Sequence, residues 1–209
     1  MARSKGTALK QRILEEARRV LEAEGYQALS TRRLAGALGV TATSLYLYFD
    51  NKEALLQALI AEGFEDLGQR LEAATQGAEP VLRPRALAEA YVSFGLEQPA
   101  WYELMFLLPG QRLGGTYPPD KYRAGRGLLH GLSQLLAGAS HQELSEVDAL
   151  AHATLLWSSL HGLVSLLIAG RVDAALDRTD LIARALERAV PLPTTLGTTR
   201  VPGSMDTSS

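Results

Sequence analysis

The 22 residues from Ala149 to Gly170 contain no Asp, Glu, Lys or Arg. A run of that length belongs either in the hydrocarbon of a bilayer, which takes about 20 apolar residues as a helix, or in the middle of a helical bundle. His152, Thr154, Ser158, Ser159, His161 and Ser165 interrupt it. Polar groups are expensive in lipid, so the bundle is the reading and no membrane partner is expected. On a helical wheel the run splits into three stripes. Leu156, Leu160, Leu163 and Leu167 share one face, and Leu150, Trp157, Val164 and Ile168 a second. Ala151, Ser158, Gly162, Ser165 and Ala169, all small, form the third. A helix apolar nearly all round is buried on every side, and small side chains let another backbone come close. The pattern predicts a central helix whose small face meets a second copy of the chain.

The remaining periodicity is also helical. Leu9, Ile13, Ala17, Val20 and Leu21 recur at helical spacing up to Gly25. Ser30 or Thr31 can cap a short helix to about Leu38, and Thr41 another through Tyr48. A longer helix starts near Asn51, with Leu55, Leu56, Leu59, Ile60, Phe64 and Leu67 on one side. Pro84 and Pro99 open two more helices, over 84–97 and 99–108, since a first turn tolerates proline. Pro109–Pro119 reads as a loop, followed by helices near 120–139, 145–170 and 178–190, and the tail 191–209 reads as disordered. No alternating run suggests a strand. The class is all-α: a helix-turn-helix domain over 7–60 and a helical body over 61–190.

Charge divides along the same line. Residues 1–52 hold nine Lys/Arg against five Asp/Glu, a net +4, while the remainder carries −6. A basic head on an acidic body suits a protein whose N-terminal part meets a polyanion. There is no cysteine, which excludes disulfide scaffolds, thiol nucleophiles and zinc ribbons. The basic N-terminus lacks the apolar core of a secretory signal, so a cytoplasmic protein is expected.

The most informative segment is Ser30–Phe49, STRRLAGALGVTATSLYLYF. Leu34, Ala35 and Leu38 give its first helix an apolar face, Gly39 sits where a turn needs positive φ, and Val40 and Leu45 face inward. Two short helices joined in this way can place the second in a DNA major groove. An ordinary helical corner would expose Glu, Lys, Gln and Arg. This one offers Thr41, Ala42, Thr43, Ser44, Tyr46, Tyr48 and Lys52 instead. Small hydroxyl residues let a helix approach base edges and donate to phosphates.

TRRLAGALGV followed by TSLYLYFDNKEALL resembles the DNA-binding domain of the tetracycline-repressor (TetR) family of bacterial transcription regulators. The resemblance implies three helices, the third a reader of duplex DNA, and a long linking helix. Carried over by position, Thr31 and Thr41 would cap helices against phosphates, and Thr43 and Ser44 would face bases. Tyr46 and Tyr48 would press on the DNA backbone, and Lys52 would bind a phosphate. Ala42 and Leu47 stand where many members are polar, which implies apolar readout there. In the body, Pro99–Phe106 and Trp157-x-x-x-His161-Gly162 are similar to a subclass named for its Trp-His-Gly string. That likeness implies a small-molecule site and dimerisation through the last two helices, with Leu181 and Ala185 beside the small stripe of the uncharged helix.

Trp157 and His161, at i and i+4, are neighbours on one helix face. With Phe94, Trp101, Tyr102 and Met105 they form the candidate wall of a ligand pocket. Met105 and Phe106 read first as plain core, and His161 serves equally as a pocket group or a group at the dimer seam. The sequence shows no P-loop, HExxH or G-x-S-x-G, and its four histidines are poorly spaced for one metal. No enzyme, metal or cofactor is expected. The leading expectation is a repressor released from a palindromic operator by a small, largely apolar ligand, with Arg112, Lys121 and Arg123 leaving some room for an anionic one. The alternatives are a constitutive DNA binder and a helical interaction protein.

Overall fold

The computed structural model describes residues 2–107, 119–139 and 144–190, with side chains for 8–107, 125–138 and 144–190. The expected disordered tail lies outside these residues, as does the loop before Pro119. Every regular element among them is helical.

The head begins with α1 (Ala2–Glu24), whose Ile13, Leu14, Ala17, Val20 and Leu21 are buried at helical spacing. Gly25, with φ of 78°, ends it, and a 3-10 turn (Tyr26–Ala28) leads to α2 (Thr31–Leu38). Ser30, in extended backbone, is the N-cap of α2: its hydroxyl accepts from Arg33 N at 3.2 Å. Thr31 is the first helical residue, so the capping role the resemblance gave it belongs to its neighbour. Gly39, with φ of 66°, closes α2 in the left-handed conformation a side chain would strain. Thr41 then caps α3 (Ala42–Tyr46), and Asn51 caps α4 (Lys52–Thr75) by accepting from Ala54 N at 2.8 Å. Leu29, Leu34, Leu45, Leu55 and Leu59 fill the space between these helices, each less than 2% exposed. Full burial of one such side chain contributes roughly 1.5–3 kcal/mol.

Helix α4 runs on from the head into the body. A 3-10 turn (Pro80–Leu82) precedes α5 (Arg83–Glu97), and α6 (Pro99–Tyr102) continues as a π-helical turn over Glu103–Leu107. The chain then supplies α7 (Pro119–Ala139), α8 (Glu146–Ile168) and α9 (Arg178–Ala189). Helix α8 packs against α5, α7 and α9. Its crossing with α5 is close at Gly95, where a Cβ would overlap Val164 Cγ1 and stand 3.0 Å from the Tyr102 ring.

Among the described residues, the uncharged helix is covered on one side only. Ala149, Ala153, Leu156, Leu160, Val164 and Leu167 are buried, whereas Leu155 is 68% and Leu166 47% exposed. By length and composition α8 could cross a membrane, but its inner face is committed to the bundle. Burial on every side, expected from the sequence, is therefore incomplete among the described residues.

Candidate nucleic-acid interface and body cavity

In the head, Leu45 and Phe49 anchor α3 to the core and leave the rest of the segment facing outward. Thr41, Ala42, Thr43, Tyr46 and Leu47 are exposed, Leu47 at 77%. Ser44 and Tyr48 are less available than the sequence suggests. The Ser44 hydroxyl lies 2.9 Å from Thr41 Oγ1, inside the cap, and Tyr48 packs against the core. Lys52 is half-buried at the start of α4. Tyr46 Oη stands 3.4 Å from Thr31 Oγ1, which ties the outer face of α3 to the start of α2. Of the two arginines following Thr31, Arg33 pairs with Glu24, while Arg32 is exposed beside this face. That pairing holds the Glu24 carboxyl below and the Arg33 guanidinium above their ordinary pKa. The sequence reading passed over Arg32, although a cation next to a capped helix start was a visible signal.

In the body, α4, α5, the π-helical turn, α7 and α8 surround a cavity of about 670 Å³. Phe64 and Leu71 come from α4, Leu87 and Tyr91 from α5, and Phe106 from the turn. Leu128, Leu129 and Leu132 come from α7, and Leu150, Thr154, Trp157 and His161 from one face of α8. Arg126 is the one charged residue among the described lining.

A cluster of polar atoms borders this apolar space. Trp157 Nε1 donates to Tyr91 Oη at 3.1 Å; the Tyr91 and Tyr102 hydroxyls are 2.9 Å apart; Tyr102 Oη is 2.6 Å from His161 Nδ1. The imidazole is stacked between two rings, Trp157 at 5.1 Å and Tyr102 at 5.5 Å between centroids. Burial disfavours charge here. It pushes the Tyr102 phenol up to about 12, raises Tyr91 as well, and lowers His161 below 6.5, so the histidine is neutral at pH 7.

Of the six residues read as a pocket wall, Trp157 and His161 line the cavity. Phe94, Tyr102 and Met105 are buried in the core instead, with Tyr102 reaching the site only through its hydroxyl. Trp101 faces a separate polar cleft where α1, α4 and α6 meet, and its Nε1 donates to Glu22 at 3.1 Å. Arg18 spans the same joint with two 2.8 Å bonds to Glu62. Phe106, read first as core, is a cavity residue. Tyr91 was not singled out at all, although its place one turn after Leu87 on α5 was a readable signal.

The small stripe of α8 lies partly toward the uncovered side, with the Ser165 hydroxyl turned into the chain. Ala151, Ser158 and Ala169 are exposed, and Gly162 and Ser165 are half-buried, as are Leu181 and Ala185 on α9.

Comparison with known proteins gives a consistent picture. Residues 13–59 match the profile described as "Bacterial regulatory proteins, tetR family", and residues 85–189 that described as "Tetracyclin repressor-like, C-terminal domain". An uncharacterised HTH-type transcriptional regulator of Mycobacterium tuberculosis is 30% identical over 161 residues, 77% of this chain and 71% of that one. Among solved structures, the regulatory protein SCO4313 superposes with a TM-score of 0.74 at 25% identity, over 90% of this chain and 98% of that chain. AibR, whose crystal structure is a complex with isovaleryl coenzyme A and operator DNA, has a TM-score of 0.63 at 21% identity. That superposition covers 88% of this chain and 98% of AibR.

Proposed function

The chain belongs to the TetR family of DNA-binding bacterial transcription regulators, and from that premise we propose that it is a dimeric cytoplasmic repressor, released from a palindromic operator by a small, largely apolar ligand. The observation that carries this reading is the path of α4. The helix starts at Lys52, directly after the exposed face of α3, and its Phe64 and Leu71 form part of the cavity wall. A ligand between α4, α5, α7 and α8 therefore acts on the one helix that continues into the head.

The energies required are small. A tenfold loss of DNA affinity needs about 1.4 kcal/mol of ligand preference for the released state. Burial of one apolar side-chain equivalent is worth roughly 1.5–3 kcal/mol, so filling part of the cavity suffices. AibR, which shares this fold, holds isovaleryl coenzyme A and operator DNA in one complex, an instance of ligand and DNA binding by one protein of this architecture.

The uncovered face of α8, with Leu155, Leu166 and the small stripe, together with Leu181 and Ala185 of α9, supports a twofold seam between copies. Two heads on a twofold axis address half-sites about 34–36 Å apart, or a multiple of that. Thr43, with Ala42 and Leu47 beside it, reads base edges, and Thr41, Tyr46 and Lys52 hold the DNA backbone.

The test begins by selecting bound sequences from random duplex DNA, where a near-palindrome is expected. With that DNA in hand, candidate ligands are titrated while DNA release and tryptophan fluorescence are followed together. A compound that changes the fluorescence and releases DNA, both effects being blunted in Trp157→Ala, supports the proposal. Reading heads that keep one spacing with and without every bound compound would refute ligand control.

A further inference from the structure

The hydrogen bonds bordering the cavity have a direction, and the direction identifies what the cavity recognises. An indole N–H can only donate, so Tyr91 Oη receives the Trp157 proton at 3.1 Å. In the better-matched arrangement Tyr91 donates to Tyr102 across 2.9 Å, and Tyr102 donates to His161 Nδ1 across 2.6 Å. If Tyr91 instead donates straight to Nδ1 at 3.3 Å, the imidazole nitrogen is still the acceptor. The opposite arrangement has the imidazole donate from Nδ1. It lets Tyr102 donate to Tyr91 at 2.9 Å and turns the Tyr91 proton toward the cavity that Tyr91 lines. It also gives the 2.6 Å contact, the shortest of the network, to an imidazole N–H and a phenol oxygen, a weaker donor and a weaker acceptor than a phenol O–H and an imidazole nitrogen.

A neutral imidazole that accepts at Nδ1 carries its proton on Nε2. Stacking between Trp157 and Tyr102 fixes the ring plane, and Nε2 has no acceptor among the described residues. The cavity thus holds an oriented donor at the end of the network, among apolar walls such as Phe64, Leu87, Phe106 and Leu132, with Arg126 as a second donor-bearing residue of the lining.

Resting on the reading of this cavity as the ligand site, we infer that it selects apolar molecules bearing a neutral hydrogen-bond acceptor, a ketone, ester or thioester oxygen, which takes the Nε2–H of His161. A pure hydrocarbon leaves that donor unmatched once the cavity is filled. A donor-only ligand would meet it head-on. Tyr102 is the positioning residue, since its hydroxyl holds the imidazole in the donating tautomer.

The test uses propiophenone and n-propylbenzene, which share shape and differ by a carbonyl in place of a methylene. Calorimetry on the full-length protein should give about three- to tenfold tighter binding of the ketone, the range set by one net hydrogen bond. In His161→Phe the ratio should fall to one or below with both probes still bound, because the buried carbonyl is then unpaired. Tyr102→Phe should lower the ratio by a smaller factor while leaving His161 in place, because Nδ1 then keeps only the longer 3.3 Å contact to Tyr91. Nitrogen-15 spectra of labelled histidine supply an independent readout: His161 should carry its proton on Nε2, and the Nε2 signal should move when propiophenone is added. Equal affinity for the two probes in the wild type, or a proton on Nδ1, overturns the inference. DNA release is a separate measurement. Ketone selectivity without release supports this inference and refutes ligand control of DNA binding, whereas failure of both probes to bind at their solubility limits overturns the ligand class.

Discussion

Replacing Gly162 by Leu tests the seam without touching the fold. A Cβ built at Gly162 meets no heavy atom within 4 Å in the isolated chain. Within α8 the change removes a poor helix former, which favours the monomer by roughly 0.8–1 kcal/mol. If a second copy lies against the small stripe, the same side chain enters a close backbone approach, where overpacking costs about 1–3 kcal/mol. Twofold symmetry applies it from both sides. The sum, about 2–6 kcal/mol, weakens the dimer by at least about thirtyfold. Sedimentation equilibrium over a concentration series measures the dissociation constant, and thermal unfolding at a concentration where both proteins are monomeric checks the fold. The expected result is a much weaker dimer whose monomer is at least as stable as the wild type. A Gly162→Leu protein that dimerises like the wild type refutes the seam, as does a wild type that sediments as a monomer at micromolar concentration.

Other consequences can be checked with equal directness. Lys52→Ala should weaken binding to all duplexes and flatten the slope of log affinity against log salt by about one, while Thr43→Ala should change which sequence is selected. Gly95→Ala should destabilise the fold by about 1–3 kcal/mol or more in denaturant unfolding, because its methyl meets the stiff Val164 and Tyr102 side chains. Gly63→Ala should cost less, since its nearest neighbour is the flexible Met105 thioether. The folded-state pKa of His161 is lowered from 6.5 by burial, so the unfolded chain binds the extra proton first. Its contribution is complete above about pH 6.5 and is lost as pH falls from there through the folded-state value. Melting temperature should decline over that interval in the wild type and less steeply in His161→Phe.

The head was legible because local chemistry fixes its short helices. Gly39, Thr41 and Asn51 each satisfy a named backbone requirement, and the helix limits fall beside them. Ser30 and Thr31 could not be separated, because both carry the hydroxyl a cap needs. The deciding quantity is the extended backbone at Ser30, which the side chains do not encode. The body was less legible. Trp101, Tyr102, Met105 and Phe106 read as one aromatic cluster, but the change from α to π winding at Glu103 alters the angular step between residues. Trp101 ends at the polar joint, Tyr102 and Met105 in the core, and Phe106 on the cavity. Phe94 lies under the Arg70 guanidinium, 5.6 Å from its ring centroid, away from the lining. Periodicity identifies the apolar faces of a helix; whether a face meets another helix or a void depends on how four helices spread, and residues distant in sequence set that.

The polar joint between α1, α4 and α6 bears on how proteins of this kind exchange parts. Recombination that moved only residues 1–50 onto a different body would carry Arg18 and Glu22 away from Glu62 and Trp101. The transplanted first helix would then keep these bonds only where the recipient supplies a carboxylate and an indole at the same two places. Elsewhere, a new DNA specificity gained in that way arrives with its mechanical connection to the recipient unmade. The unit that can be inherited intact is larger than the reading head: it extends through α4 and α6, and ends only after Trp101.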